Sequence, residues 1–137
     1  KPYWRLRTAV WFSNYGVPEN RFELPYDAQS PTLFRRVRFE NKQDIIDEVY
    51  RIINESTEKG FDVGQSMFYQ LPFFCNPSIV ISDWCLHMIT DYFSVTKFNV
   101  PISKDLDSMD AWMMDCFTVI ENEIQKISNH ERKKNGS

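Results

Sequence analysis

A histidine between two carboxylates is the first candidate for chemistry in this chain. Asp83, His87 and Asp91 are four residues apart, so a helix would carry all three on one face. A carboxylate at that spacing can orient an imidazole or share a metal ion with it. A hydrolytic metal site usually has further ligands, and the other histidine, His130, lies far along the chain. The pattern favours a polar helix face, and an enzyme of unknown class with a site near His87 is the third alternative for the function.

An acidic cluster is the second candidate. Asp105, Asp107 and Asp110 bunch at the start of a predicted helix, without the glycine and the regular oxygen-ligand spacing of an EF-hand loop. The helix dipole already favours carboxylates in a first turn. The four glycines of the chain form no nucleotide-binding or nucleophile motif. The sequence therefore predicts no catalytic residue, no metal site and no cofactor.

The three cysteines have no metal-site or disulfide pattern. Cys75, Cys85 and Cys116 stand far apart in apolar surroundings. An odd number without a CxxC pair fits neither a disulfide framework nor a zinc site. We expect buried free thiols and an intracellular location, cytoplasmic or nuclear. No apolar run approaches the roughly 20 residues that cross a bilayer, so we expect no membrane partner.

Arginines and aromatic residues interleave in the N-terminal third of the chain. Cations for phosphates and flat rings for bases are what single-stranded nucleic acid requires. If residues 4–12 and 32–40 are strands, alternation places one such set on an open sheet face: Arg5, Arg7, Trp11, Phe34, Arg36 and Arg38. Glu19, Arg21 and Glu23 of an intervening strand would share that face, where arginine–glutamate pairs would neutralise the charge. We favour the self-paired face and keep RNA or single-stranded DNA binding as the alternative function.

The charge of the chain is unevenly distributed. Residues 1–42 carry eight Lys and Arg against four Asp and Glu, a net +4, whereas residues 43–137 carry eight against fifteen, a net −7. Such asymmetry indicates an interaction surface or two parts of one fold that attract each other. The overall charge of −3 argues against tight binding to duplex nucleic acid.

Residues 61–77 contain more apolar side chains than a solvated loop needs. They show no sustained period, and Pro72 interrupts them. They either cover the sheet edge as core or form a patch for another protein, since Met and aromatic residues are favoured in interface cores. The predicted surface, for another protein or for a second copy of this chain, consists of Phe68, Tyr69, Phe73, Phe74 and Trp112.

The elements that must position these residues are strands first and helices afterwards. This order is typical of an α+β fold, and 137 residues suit one domain, residues 1–137. We predict a small antiparallel sheet of about three strands within residues 3–40, with strands near 4–12, 21–24 and 32–40. Three α-helices should pack on one face of it, at about 42–59, 77–95 and 105–128, and the tail 129–137 should be disordered.

The first of these helices has the clearest boundaries. Asn41 is a good N-cap, Gly60 can end the helix in the left-handed conformation, and an apolar stripe runs between them. Because catalytic signals are missing and apolar side chains are abundant, we predict a non-catalytic binding or regulatory module. It would recognise a partner protein through an aromatic and Met-rich surface.

Overall fold

The computed structural model describes residues 3–18, 22–97 and 111–136. Within these ranges the helices are α1 (Trp4–Tyr15), α2 (Lys42–Lys59), α3 (Val63–Gln70), α4 (Asp83–Thr96) and α5 (Ala111–Gly136). Strands β1 (Tyr26–Ser30) and β2 (Arg35–Phe39) form an antiparallel hairpin in which Tyr26 is opposite Phe39. The α+β class with a small antiparallel sheet is therefore confirmed. The prediction of three strands and three helices is wrong, because the described chain has two strands and five helices.

The first predicted strand is a helix, α1. Its residues belong to two buried clusters at once: Trp4 and Phe12 pack with the hairpin, α2 and α3, while Leu6 and Val10 pack with α4 and α5. A helix buried on two sides has no single apolar stripe, so its sequence alternates like a strand by coincidence. The side-chain hydroxyl of Thr8 donates to the carbonyl of Trp4 at 2.8 Å, so this polar group is also satisfied inside the fold.

The hairpin uses a segment that was predicted to be a loop. Tyr26–Ser30 forms β1, whereas the predicted return strand 21–24 lies outside the sheet where it is described. Phe22 is bound by a side chain instead: its amide donates to Oδ1 of Asn76 at 3.3 Å and its carbonyl accepts from Nδ2 at 2.8 Å. The third predicted strand is present as β2, with Phe39 buried.

The predicted helix at 42–59 is confirmed as α2. The Asn41 side chain accepts from the amide of Asp44 at 3.1 Å, and Gly60 ends the helix at φ 76°. The second predicted helix begins later than residue 77, because Pro77–Ile79 form only a short 3₁₀ turn before α4 starts at Asp83.

The last helix is longer than predicted at its end. Its predicted start at 105 lies outside the described residues. The tail was expected to be disordered from residue 129, yet α5 continues to Gly136. Two contacts explain this: the hydroxyl of Tyr15 is hydrogen-bonded to Glu131, and the hydroxyl of Tyr69 lies 2.7 Å from Nε2 of His130.

Helices α1, α3 and α4 run in the same general direction as α5, since their contacts with it follow the same order along both helices. Arg7 of α1 contacts Glu123, and Tyr15 further along contacts Glu131. In α4, Trp84 packs against Trp112 and Tyr92 against Phe117, again in the same order along both helices. In the part of the chain that the structure describes, no helix is long and apolar enough to span a membrane.

The cysteines are buried free thiols, as predicted. Burial raises the pKa of Cys75 to about 12 and also raises the pKa of Cys85. Both thiols are therefore protonated, unreactive parts of the core near neutral pH.

Candidate functional site

The six residues of the predicted basic sheet face do not share a surface. Arg5, Arg7 and Trp11 lie on α1 rather than on a strand. Nη1 of Arg5 donates to the carbonyl of Val80 at 3.0 Å, and Nη1 of Arg7 donates to Glu123 at 2.9 Å. Trp11 is fully buried. This half of the prediction is wrong, because these side chains serve contacts within the fold.

The other three residues lie on the hairpin. Phe34 is 80% exposed at the turn, and Arg36 and Arg38 are exposed on β2. Arg38 contacts the carboxylates of Asp27 at 3.5 Å and Glu40 at 3.4 Å. Nη2 of Arg36 donates to the carbonyl of Asp27 at 2.9 Å. The exposed arginines are thus paired, but with Asp27 and Glu40. Of the three residues predicted to share their face, Glu19 and Arg21 lie outside the described residues, and Glu23 is exposed and forms no ion pair with a described arginine.

The predicted partner-binding residues divide into core and surface. Phe74 is fully buried, and Phe68 packs against both buried clusters, so these two belong to the core. Tyr69, Phe73 and Trp112 are 48%, 63% and 49% exposed. Trp112 packs against Trp84 at a ring-centroid distance of 5.7 Å.

The histidine triplet lies on the polar side of α4, where Asp83 and His87 are exposed and Asp91 is half-buried. Across residues 3–18, 22–97 and 111–136, no three His, Cys, Asp or Glu side chains converge as a metal site would require. The second acidic candidate, Asp105, Asp107 and Asp110, lies outside the described residues.

Three exposed aromatic side chains lie on and beside α3. We define the outer face of α3 as Phe61, which precedes the helix, Gln65 and Tyr69, which lie on it, and Phe73, which lies in the 3₁₀ turn that follows; they are four residues apart in the sequence. Phe61 is 62% exposed. A groove of about 430 Å³ lies between Phe61 and Tyr69, with Gln65, Ser66 and Gln70 along it. Phe61 belongs to the apolar segment 61–77 but was not included in the predicted surface, although its spacing from Tyr69 and Phe73 was the available signal.

The outer face of α3 is held in place at both ends. At the start of the helix, Oδ2 of Asp62 accepts from the amide of Gln65 at 2.9 Å, and Oδ1 accepts from Nζ of Lys126 at 2.6 Å. At the end of the helix, the Tyr69 hydroxyl contacts His130. The rings are therefore presented by a fixed helix, which limits the ordering cost of binding.

A buried carboxylate lies beneath this helix. Glu123 is fully buried and accepts from Nε1 of Trp11 at 3.1 Å, from Arg7 at 2.9 Å and from Lys126 at 3.3 Å. A Cβ at Gly64 would lie 2.5 Å from Oε1 of Glu123, so glycine is required for this close approach of α3. The cluster joins α1, α3 and α5, and a pocket of about 380 Å³ beside Phe61 opens onto its Arg7, Asp62 and Lys126 side chains.

The cluster also shifts the ionisation of its members. Burial and the neighbouring Asp62 carboxyl raise the pKa of Glu123. Burial alone would raise the pKa of Asp62, but hydrogen bonds from Glu123, Lys126 and the Gln65 amide lower it below its usual range. The two carboxylates raise the pKa of Lys126 despite its partial burial. Chemically, the cluster can hold one proton between two carboxyls, and structurally it is an ionic cross-link.

Sequence reasoning missed Glu123, although a signal exists. It lies inside the apolar stripe that Ile120, Ile124 and Ile127 define on α5. A charged residue at such a position is buried only with partners.

Comparison with known proteins finds no matching family model, no matching curated protein and no matching solved structure.

Proposed function

We propose that this chain is a non-catalytic binding or regulatory module whose partner protein docks on the outer face of α3. One observation supports this above all: the Phe61 and Tyr69 side chains, 62% and 48% exposed, line one groove along α3, and Phe73 is 63% exposed in the 3₁₀ turn that follows the helix. Aromatic side chains dominate the binding energy of interfaces, and clusters of them on an otherwise polar surface mark interaction sites.

The groove between Phe61 and Tyr69 indicates the chemistry of the partner. An apolar side chain fits between the two rings. The amide and hydroxyl groups of Gln65, Ser66 and Gln70 along the groove are suited to hydrogen bonds with a peptide main chain. A protein segment with one apolar anchor therefore matches both the rings and the polar rim.

The charge beside the groove favours an acidic segment. The turn of α5 that follows His130 carries Arg132, Lys133 and Lys134 against one carboxylate, Glu131. Because His130 contacts Tyr69, this basic turn lies next to the outer face of α3. Carboxylates flanking the apolar anchor would complement it and would make association weaken with salt.

The rival functions have less support. The nucleic-acid set retains only Phe34, Arg36 and Arg38 on one surface, and both arginines already contact neighbouring acceptors. His87 has no described cluster of ligating or nucleophilic groups around it. A second copy of this chain remains a partner of the same class, and the sedimentation arm of the test below distinguishes it.

A peptide selection tests the proposal. Random peptides displayed on phage are selected on the purified chain, and the dissociation constants of enriched peptides are measured by fluorescence anisotropy. We expect acidic peptides with an aromatic or aliphatic anchor, and a weakening of about tenfold or more in Phe61→Ala and in Phe73→Ala. Phe34→Ala is the matched control, since it removes an even more exposed ring from the hairpin, and should leave binding unchanged.

Two results would overturn this assignment. Peptides that bind Phe61→Ala and Phe73→Ala as tightly as the wild type would place binding elsewhere, as would a failure to enrich any peptide. Sedimentation of the unliganded chain is measured in parallel. Dimerisation that Phe73→Ala abolishes would assign the same face to a second copy of this chain.

We further propose an intracellular location for the module. The three buried thiols support it, because none of them forms a disulfide and oxidising compartments favour disulfides in small proteins.

A further inference from the structure

A separate pocket of about 360 Å³ lies between α1, α4 and α5. Among the described residues, no member of the outer face of α3 contributes to it. Its size falls in the range of small-molecule sites, which are mostly apolar with a few placed polar groups. The pocket therefore suits a small ligand rather than a protein segment.

The pocket has an apolar wall and a polar rim. The buried and half-buried lining residues form the wall, and the exposed polar residues form the rim. The wall consists of Val10, Ile89, Tyr92, Phe93, Ile124 and Ile127, and the rim of Ser13, Asn14, Thr96 and Lys97. Such a division suits an amphipathic molecule, whose apolar body would contact the wall while its head group stays at the rim.

Among the described residues that line the pocket, Lys97 is the one cation. Nζ of Lys97 lies 5.4 Å from the centre of the Phe93 ring, and no carboxylate of the described residues forms an ion pair with it. The negative end of the α4 dipole is near, but it amounts to about half an elementary charge, so the full charge of Lys97 prevails at the rim. An anionic head group is therefore favoured over a cationic one.

The remaining rim groups are neutral. Within the described chain, no hydrogen bond engages the side chains of Ser13 and Asn14. The Thr96 hydroxyl donates to the carbonyl of Tyr92 at 2.8 Å and so is already used. One cation and two neutral donors match a singly charged carboxylate better than a doubly charged phosphate.

We propose that this pocket binds a medium-chain fatty-acid carboxylate, with its alkyl chain against Ile89, Ile124 and Ile127 and its carboxylate on Lys97 and Ser13. This site is independent of the face that binds a protein partner, so either assignment can fail without the other.

Titration of the full chain with decanoate, below its micelle concentration, tests the proposal by calorimetry. Saturable one-to-one binding is expected. Lys97→Met keeps the length of the side chain but removes its charge, and should weaken decanoate binding by about tenfold or more, as loss of a charge-assisted hydrogen bond does. Lys59→Met on α2 is the matched control and should change nothing, as should Phe73→Ala on the outer face of α3.

Decanol has the same alkyl chain as decanoate but no charge. Comparing the two ligands distinguishes binding at a specific site from adsorption to apolar surface. We expect the wild type to bind decanol more weakly than it binds decanoate. The Lys97→Met variant should bind decanol and decanoate with about equal affinity. Ser13→Trp places a large ring at the exposed rim and should block both ligands. Non-saturable binding, or equal affinity of the wild type and Lys97→Met for decanoate, would overturn the proposal, as would undiminished binding by Ser13→Trp.

Discussion

Residues 61–74 carry two sets of apolar side chains with nearly the same composition and opposite environments. The inner set is fully buried: Met67, Leu71 and Phe74. The outer set is about half exposed or more: Phe61, Tyr69 and Phe73. The two sets alternate along one segment: Phe73 and Phe74 are neighbours in the sequence, yet Phe73 is exposed and Phe74 is fully buried. Apolar composition thus indicated an excess of such groups here, but not which of them form the core.

The largest difference between the two sets is expected in stability. Phe74→Ala should lower the free energy of unfolding by about 3–5 kcal/mol, because it leaves a cavity among buried side chains. Phe73→Ala, one residue away, should change it by no more than about 0.5 kcal/mol, as surface substitutions usually do. Urea denaturation of both variants measures the contrast. A greater loss in Phe73→Ala than in Phe74→Ala would reverse the assignment of the two sets.

The buried cluster beneath α3 gives a second large effect. Glu123→Ala leaves the Arg7 guanidinium and the Trp11 N–H without their acceptor, so we expect a loss of about 3 kcal/mol or more of unfolding free energy. Glu131→Ala, on the exposed part of the same helix, is the control and should cost well under this amount. Equal stabilities of the two variants would show that the cluster does not hold the helices together.

A smaller effect concerns pH. The folded pKa of Asp62 is lowered, so its contribution to stability is present above its unfolded pKa and is lost as pH falls through the folded value. Asp62→Asn keeps the helix cap but removes the charge, and should flatten this acid decline in thermal unfolding scans. Asp62→Ala should cost about 1 kcal/mol more than Asp62→Asn at neutral pH, because it also removes the cap. Parallel pH profiles for the wild type and Asp62→Asn would contradict this ionisation.

At alkaline pH the dependence of stability on pH has the opposite sign, because stability falls as pH rises. The folded pKa of Lys126 is raised, so its contribution is complete below the unfolded pKa and is lost as pH rises through the folded one. Lys126→Met should therefore remove part of the alkaline decline while leaving the packing of α5 intact. The raised pKa of Glu123 works against Asp62, since it favours the protonated form and weakens the fold as pH rises above the usual glutamate range.

The comparison also shows which parts of the molecule were predictable. α2 was recognised because local signals agree: a cap at Asn41, a stop at Gly60 and a one-sided apolar stripe. For α1 the sequence pattern predicts a strand. The helix is buried on two sides and so lacks a single apolar stripe, and Trp4, Leu6 and Val10 fall at alternating positions by coincidence. No local pattern could reveal that burial, since the elements that cover α1 come from the rest of the chain.

The residues of the candidate surface were predicted only in part, again because local patterns did not show which side chains the rest of the chain buries. Of the predicted surface residues, Tyr69 and Phe73 are exposed, whereas Phe68 packs against both buried clusters and Phe74 is fully buried. Without the boundaries of α3, which Pro72 obscured, the phase of the segment could not be assigned. The period of four residues from Phe61 to Phe73 becomes informative only once the helix is known.

Chemical-shift mapping tests the central claim most directly. The chain is labelled with ¹⁵N, an enriched acidic peptide is added, and amide shifts are followed to saturation. The account predicts that the largest changes lie in residues 60–73 and around His130, and that they are lost in Phe61→Ala but retained in Phe34→Ala. Largest changes at the hairpin turn around Phe34, or at the Trp84–Trp112 contact, would contradict the assignment of the outer face of α3 as the binding surface.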